Sequence, residues 1–413
     1  MRHGQLSNHD ASGKQVNTRI AAVGTQLGRS LSQFLESIDG APHRPHQLAA
    51  DLKINKDLAH RLITAVGKKD PFAVVYGIPG PEPLRRVVKA GLRHGAMKER
   101  GEESLQSIDE LEHLIREIAG ERASLDAIIC NWLPDARKKF ESTAKQSAYR
   151  GMRQLKGIAA DLSSFTILWH PSQNEPRHDI AQIRGFYGLS RVRPEATFRL
   201  AISSGTTHRA AQPLTLDGTP VSNVSGLLLE NYCTGPAVQT SVLGDEEIAV
   251  YSLDWGETVG IGSARDIVMG ELRRSGPRQY CSRDDPKKKT GFTEAITVPS
   301  KKFICDLIMH QDVYPDWEPS LRVLEASSVS SADPNSTISS LYEFDVLETF
   351  ESMGVGIEHF RAPEIPGYTE LLLSTCARVG WDPSEFRGYR VRIDYPIFSS
   401  QIQVAFDLPI RDL

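Results

Sequence analysis

Side chains able to do chemistry are scattered through this 413-residue chain, and few stand at informative spacings. His170 and His178 flank a proline-containing loop together with Glu175 and Asp179, four groups that can ligate a metal or carry a proton. Zinc sites usually show tighter pairs or cysteines, so this cluster reads as a surface loop. His310-x-Asp312 supplies two ligands and no third within reach of the local sequence. Gly256–Arg265 (GETVGIGSAR) could cradle an anion at the start of a helix. A dinucleotide loop needs a third glycine and a βαβ setting, however, and a tight turn is the simpler reading. The patterns G-x-x-x-x-G-K-[ST], G-x-S-x-G and H-E-x-x-H are absent. No catalytic residue, metal ligand or cofactor is assigned on these grounds, and no enzymatic activity is expected. The alternative is an enzyme with its site in residues 161–413, or a non-catalytic scaffold.

A second polar set has a clearer geometry. Lys56, His60, Arg61 and Thr64 fall on one face of a helix read over Lys56–Val66, with Asn55 just before it and Lys68 and Lys69 just after. Such residues offer hydrogen-bond donors and positive charge along one strip. The opposite face carries Leu58, Leu62, Ile63 and Val66. Asn55 is a good N-cap, because its side-chain oxygen can accept a backbone N–H one turn in, and Asp57 suits the positive helix end.

The elements that must hold this strip are read from Arg44–Gly67. A first helix carries Leu48, Ala49 and Leu52, and Lys53-Ile54-Asn55 forms a turn. Ahead of it, Ile20, Val23, Leu27, Leu31, Phe34, Leu35 and Ile38 recur at helical spacing and supply the apolar wall that a helix pair cannot make for itself. The pattern Leu48-Ala49-x-x-Leu52, a turn with one aliphatic residue, a polar cap and then Leu58-x-x-Arg61-Leu62 resembles the helix-turn-helix of bacterial transcriptional regulators of the IclR and MarR types. The resemblance covers the head alone. It implies that the second helix enters the major groove with its N-terminal half on base edges. Lys56, Asp57, His60, Arg61 and Thr64 are then the candidate DNA contacts, flanked by Asn55, Lys68 and Lys69. Lys56 and Arg61 would serve phosphates or guanine, and Asp57 the helix end. Double-stranded DNA is the implied partner, and a C-terminal domain sensing a ligand or another partner is the implied companion. The chain departs from the winged form of the motif. Between Phe72 and Pro81 there is one strand-like apolar run, a Pro/Gly turn and no charge, so no basic wing is expected.

Downstream, Leu84–Leu92 reads as a short basic helix with Arg85, Arg86 and Lys89 outward. Over Glu102–Trp132, Ile108, Leu111, Ile115, Ile118, Arg122, Leu125, Ile129 and Trp132 alternate in steps of three and four, the mark of a coiled-coil-like seam. It would suit a homodimer, since two heads on a two-fold axis read a two-fold site. The helix Asp135–Gly157 holds Arg137, Lys138, Lys139, Lys145, Arg150, Arg153 and Lys156 against Asp135 and Glu141. After Leu162 glycines, prolines and short β-rich runs take over. Strands are read at Ser164–Trp169, Ala196–Ser203, Ile248–Leu253, Ala295–Val298, Phe303–Met309, Tyr389–Ile397 and Gln401–Leu408. A hairpin is read around Asp217-Gly218 between Leu214–Leu216 and Val221–Leu229, and helices at Ala264–Arg273, Leu341–Met353 and Gly367–Val379. Ser327–Thr337 reads as a serine-rich loop.

The expected architecture is α+β. It comprises a disordered tail (1–17), a helical helix-turn-helix head (18–96), a long helical linker able to dimerise (97–160) and a mostly antiparallel α+β domain of unknown role (161–413). Composition is that of a globular chain, with 40% hydrophobic and 24% charged residues and a mean hydropathy of -0.32. A net charge of -4 argues against a chain that coats nucleic acid, but leaves room for a local basic face. Five cysteines without a C-x-x-C pair fit a reducing compartment. The N-terminal residues have no apolar core, and no run approaches the length needed to span a bilayer. A cytoplasmic location and no membrane partner are expected.

Overall fold

A computed structural model describes residues 6–41, 43–173, 176–196, 198–203, 214–221, 224–234, 238–243, 248–253, 255–326 and 333–411. The chain divides into two compact units, Met1–Glu141 and Ser142–Leu413. The first is helical and the second joins α and β structure.

The helical unit contains α1 (Leu6–Glu36), α2 (Pro45–Asp51), α3 (Lys56–Val66), α4 (Pro71–Gly77), α5 (Pro81–Arg93), α6 (Lys98–Leu114) and α7 (Arg122–Cys130). Helix α8 (Pro134–Lys156) carries the chain across into the second unit. Helix α1 begins inside the stretch expected to be a disordered tail. Its stripe of Ile20, Leu27, Leu31 and Phe34, with Ile38 just past its end, is buried against Leu48, Leu62, Val75, Leu84, Val88, Ile108 and Leu111 of the other helices. Helices α1 and α4 meet at Gly24, where a Cβ would fall on the Pro71 carbonyl. Only glycine permits that approach.

One expectation fails in this unit and a second is narrowed. The apolar run after Asp70 is a helix, not a strand: the Asp70 side chain accepts the Phe72 N–H at 2.9 Å, and Pro71 occupies the first helical position. The long helix over Glu102–Trp132 is interrupted by a π-turn at Ile115–Ala119 and by Gly120, whose φ is 75°. Its seam is spent within the unit. Ile108, Leu111, Ile115, Leu125 and Ile129 are buried in the shared core, and the Arg122 guanidinium donates to the carbonyls of Val75 and Tyr76 at 2.5 and 3.1 Å.

In the second unit the strands are β1 (Ile158–Pro171), β2 (His178–Arg191), β3 (Arg199–Ser203), β4 (Val238–Leu243), β5 (Ile248–Leu253), β6 (Arg265–Arg273), β7 (Lys289–Ala295), β8 (Ser300–His310), β9 (Arg322–Glu325), β10 (Glu343–Phe344), β11 (Glu351–Val355), β12 (Phe386–Asp394) and β13 (Ser400–Asp407). A helix, α9 (Tyr368–Val379), lies between β11 and β12 in sequence. The described strands form a six-stranded sheet ordered β11-β12-β8-β1-β2-β6, a four-stranded sheet β10-β9-β13-β7 and a three-stranded sheet β3-β5-β4. Every strand pairing is antiparallel except that of β1 with β8.

The six-stranded sheet is covered on both faces, so β1 and β8 are buried over most of their length and carry apolar runs at their centres. Leu162, Leu168, Ile304 and Ile308 face α9, meeting Leu371, Leu372 and Cys376. Phe165, Ile167, Trp169, Cys305, Leu307 and Met309 face the four-stranded sheet, meeting Val323, Val404 and Phe406.

Three sequence expectations are corrected here. Ala264–Arg273 is not a helix but strand β6, because its apolar residues go into a central sheet rather than onto one helical stripe. Leu341–Met353 is a short 3-10 turn and extended chain. The Asp217-Gly218 turn forms, with the Thr215 N–H donating to the Thr219 carbonyl at 2.9 Å, but a 3-10 turn at Val224–Leu227 replaces the second arm of the hairpin. Residues 327–332 of the serine-rich stretch lie outside the described residues. No helix among the described residues is long and apolar enough to cross a membrane.

Candidate functional site

The seven sequence-selected residues lie on α3 and immediately beside it. Asn55 has extended backbone, and its side-chain oxygen accepts the Asp57 N–H at 2.7 Å, so the cap forms. The turn before it needs a left-handed residue, and Lys53 takes that conformation with φ 51°. Leu48, Leu52, Ala59, Leu62 and Ala65 are buried beneath α2 and α3. That burial fixes the rotation of α3. Asn55, Lys56, His60, Arg61, Thr64, Lys68 and Lys69 are all exposed. Arg61 reaches back to the Ile78 carbonyl at 3.5 Å, which holds the side chain along the helix.

Sequence reasoning did not show what borders this face. Leu52, Lys53, Ile54, Asn55 and Leu58 form one wall of a groove of about 480 Å³, and Pro83, Arg86, Lys89, Ala90 and Arg93 of α5 form the other. The floor is apolar and the rim carries four cations. No carboxylate lines the groove, and Lys53, Arg86, Lys89 and Arg93 make no ion pair among the described residues. Lys53 and Arg93 were not among the expected contacts. The available signal was the spacing of Arg86, Lys89 and Arg93, three and then four residues apart, which puts them on one helical face.

Other basic residues are otherwise employed. Arg85, expected to point outward, pairs with Asp109 at 2.7 Å and with Glu112. Its guanidinium holds the Glu112 carboxyl below the usual carboxylate range. Lys145 of α8 is buried and donates to both carboxylate oxygens of Glu348, at 2.7 and 3.0 Å.

In the α+β unit the structure separates residues that sequence had grouped. The β1–β2 register pairs His170 with Asp179 and Pro171 with His178, so the two histidines project from opposite faces. His178 is buried between the rings of Trp169 and Tyr314. Burial pushes its imidazole pKa down to about 4. Asp179 accepts from Arg274 at 2.7 Å and from the Ser275 N–H at 2.8 Å. Glu175 lies outside the described residues. The glycine-rich stretch at Gly256–Arg265 is a turn and a short 3-10 segment, Gly260–Ser263, running into β6, with no α-helix start to offer an anion. Its Gly256 and Thr258 carbonyls take hydrogen bonds from Arg191.

His170 instead meets two residues distant in sequence. The parallel register that pairs Trp169 with Met309 sets His170 and His310 side by side at the carboxyl ends of β1 and β8. Glu385 enters from the residue before β12, which pairs with the other side of β8. One potential ligand atom from each of His170, His310 and Glu385 lies within 4.8 Å of the other two. His310-x-Asp312 thus has the further ligands that its local sequence lacked. Burial pushes the His170 imidazole below its ordinary range.

No model of a known protein family matches this sequence, and neither does any curated protein.

Proposed function

We propose that the helical unit binds double-stranded DNA, and that the chain is a transcriptional regulator whose α+β unit senses a ligand or partner. In this reading α2 and α3 are a helix-turn-helix. Helix α3 presents Lys56, His60, Arg61 and Thr64 to base edges in the major groove, with Asn55, Lys68 and Lys69 at its ends. The supporting observation is the carboxylate-free cationic groove joining the α2–α3 turn to α5. Phosphate contacts need cations not already neutralised within the protein, and Lys53, Arg86, Lys89 and Arg93 meet that requirement where Arg85 does not. A chain of net charge -4 attracts DNA only locally, because charges beyond the screening length of about 8 Å at physiological salt contribute little. In the absence of a basic wing, the α5 cations take over backbone contact.

Fluorescence anisotropy with pooled genomic fragments at several salt concentrations tests this. Binding at low salt should weaken linearly on a logarithmic salt scale. Arg86→Ala with Lys89→Ala should reduce the slope by roughly 2, at roughly 0.9 per lost phosphate contact, equally on all sequences. Lys56→Ala with Arg61→Ala should remove preference among fragments, at a cost of about 1–3 kcal/mol per lost base contact. No binding at low salt, or binding indifferent to Lys56 and Arg61, overturns the assignment.

A further inference from the structure

We propose that His170, His310 and Glu385 bind a divalent first-row transition ion, zinc in the first instance, with part of its coordination sphere left to solvent. The donor set is two imidazoles and one carboxylate, which suits zinc and other borderline ions and leaves at least one position for water or a small ligand. The cluster is independent of the DNA-binding surface, and either proposal can fail alone.

Three features distinguish it from a chance meeting of polar residues. The first is rigidity. Both histidines stand on adjacent central strands whose hydrogen-bonded register fixes their spacing. Trp381 stacks on the His170 ring at 4.8 Å and 6°, and Phe386 meets the His310 ring edge-on at 5.8 Å and 89°. The second is tautomer control. His170 Nδ1 donates to the Pro171 carbonyl at 2.7 Å, so its Nε2 keeps a free lone pair, as is usual for metal-bound histidine. The third is spacing. Ligand atoms on a tetrahedral zinc stand about 3.3 Å apart, given Zn–N and Zn–O bonds of about 2.0–2.1 Å. His310 Nε2 and Glu385 Oε2 are already 3.1 Å apart. The donor atoms of the three residues lie within 4.8 Å of one another, so the widest pair must close by at most about 1.5 Å to reach that spacing.

His310 must change its proton arrangement to bind. Its Nδ1 accepts the Asp312 N–H at 3.2 Å, so its Nε2 carries the hydrogen that it gives to Glu385. With metal on Nε2, the neutral ring carries its hydrogen on Nδ1, and no net proton is lost from the imidazole. Nδ1 then stops accepting the Asp312 N–H, which must turn to solvent, and the largely exposed Asp312 carboxylate, 3.7 Å from Nδ1, must close to hydrogen-bond distance to accept its hydrogen. Asp312 is thereby a positioning residue rather than a ligand. The hydrogen bond between His310 and Glu385 satisfies both groups in the folded protein.

The test uses the full chain, stripped with a chelator and titrated with Zn²⁺ against a chromophoric competitor, without DNA. One Zn²⁺ should bind per chain and raise Tm. Co²⁺ in its place should give the ligand-field absorption of a low-symmetry nitrogen and oxygen site. His170→Asn and His310→Asn should each weaken Zn²⁺ binding by at least about 100-fold, and Asp312→Asn by about tenfold, the range seen when an outer-shell partner is lost. Glu385→Gln alters a half-exposed side chain and so keeps the test sound if a histidine variant unfolds. It should weaken binding and change the Co²⁺ spectrum. His94→Gln, exposed on the helical unit, should change nothing. Binding of less than one equivalent, or binding and Co²⁺ spectra unaltered by Glu385→Gln and by whichever histidine variants fold, overturns the proposal.

Discussion

Among the described residues, the helical unit buries three polar side chains, Ser30, Ser104 and Ser107, and each hydroxyl gives its hydrogen to a helix carbonyl. The α+β unit buries Asp306, Arg390, Glu271, Asp179, His178 and His310 as well as several hydroxyls. One unit has an apolar interior and keeps unpaired charge on its rim. The other takes charge inside and pairs Asp306 with Arg390 and Asp179 with Arg274, because a buried charge without a partner is costly, while the neutral His178 ring has no hydrogen-bond partner among the described residues. The contrast bears on the two proposals. In the helical unit the proposed contacts stand on the exposed faces of α3 and α5. In the α+β unit the proposed ligands stand at the ends of central strands, among residues already tied into the fold.

The largest test of this contrast is at Asp306. Its carboxylate accepts from Arg390 Nε at 2.6 Å, from a second Arg390 nitrogen and from the Tyr368 hydroxyl, all in the interior. Asp306→Ala leaves a buried guanidinium unpaired and should destabilise the α+β unit by about 3–5 kcal/mol. Urea denaturation followed by hydrogen exchange should show the loss in β8 and β12 and leave α1–α7 unchanged. Equal loss in both units would erase the distinction.

A smaller effect follows from His178, neutral in the folded protein because burial lowers its pKa to about 4. The unfolded chain titrates near the ordinary value of about 6.5. Between those values the unfolded state binds more protons, so stability rises with pH across the window and is lost as pH falls from about 6.5 towards 4. The loss from this residue is at most about 3 kcal/mol, at 1.36 kcal/mol per pKa unit. Tm of the α+β unit measured across this range should fall on acidification, and His178→Gln should flatten that dependence. A pH profile of the same slope in the variant would assign the effect elsewhere.

The smallest effect is expected in the helical unit, at the Asn55 cap. Asn55→Ala should cost about 1 kcal/mol and speed amide exchange in the first turn of α3, with no effect on the β-strands. A cost near zero would mean that packing of Leu58 and Leu62 holds that helix end without the cap.

Local signals were legible in the sequence. The Asn55 cap, the α1 stripe, α9 and the last two strands each carry periodicity or capping residues within a few positions. Misreadings arose where tertiary context overrode such patterns. The Phe72–Val75 run has β-forming residues, yet Asp70-Pro71 starts a helix there. Residues 265–273 have spacing compatible with a helix, yet a central sheet absorbs them. The groove cations were only partly visible, because which of the α5 basic residues stay unpaired depends on Asp109 and Glu112 of α6, which neutralise Arg85 and not Arg86. His170 and His310 were each legible as possible ligands, but not their meeting with one another and with Glu385. Two apolar strands ending in histidine were its trace, but their adjacency depends on strand order, which no local spacing encodes.

That strand order also sets a timetable. The centre of the six-stranded sheet is the parallel pairing of β1 with β8, and β8 is then bordered by β12, close to the chain's end. Contacts of such long sequence separation form slowly, because loop closure precedes any gain from pairing. The helical unit depends on shorter-range contacts and emerges before the α+β unit during synthesis. A nascent chain would therefore carry a finished head while β1, apolar on both faces, still lacks its neighbour. Aggregation during expression should begin from that interval, and a chaperone that shields Phe165–Trp169 until β8 arrives would relieve it.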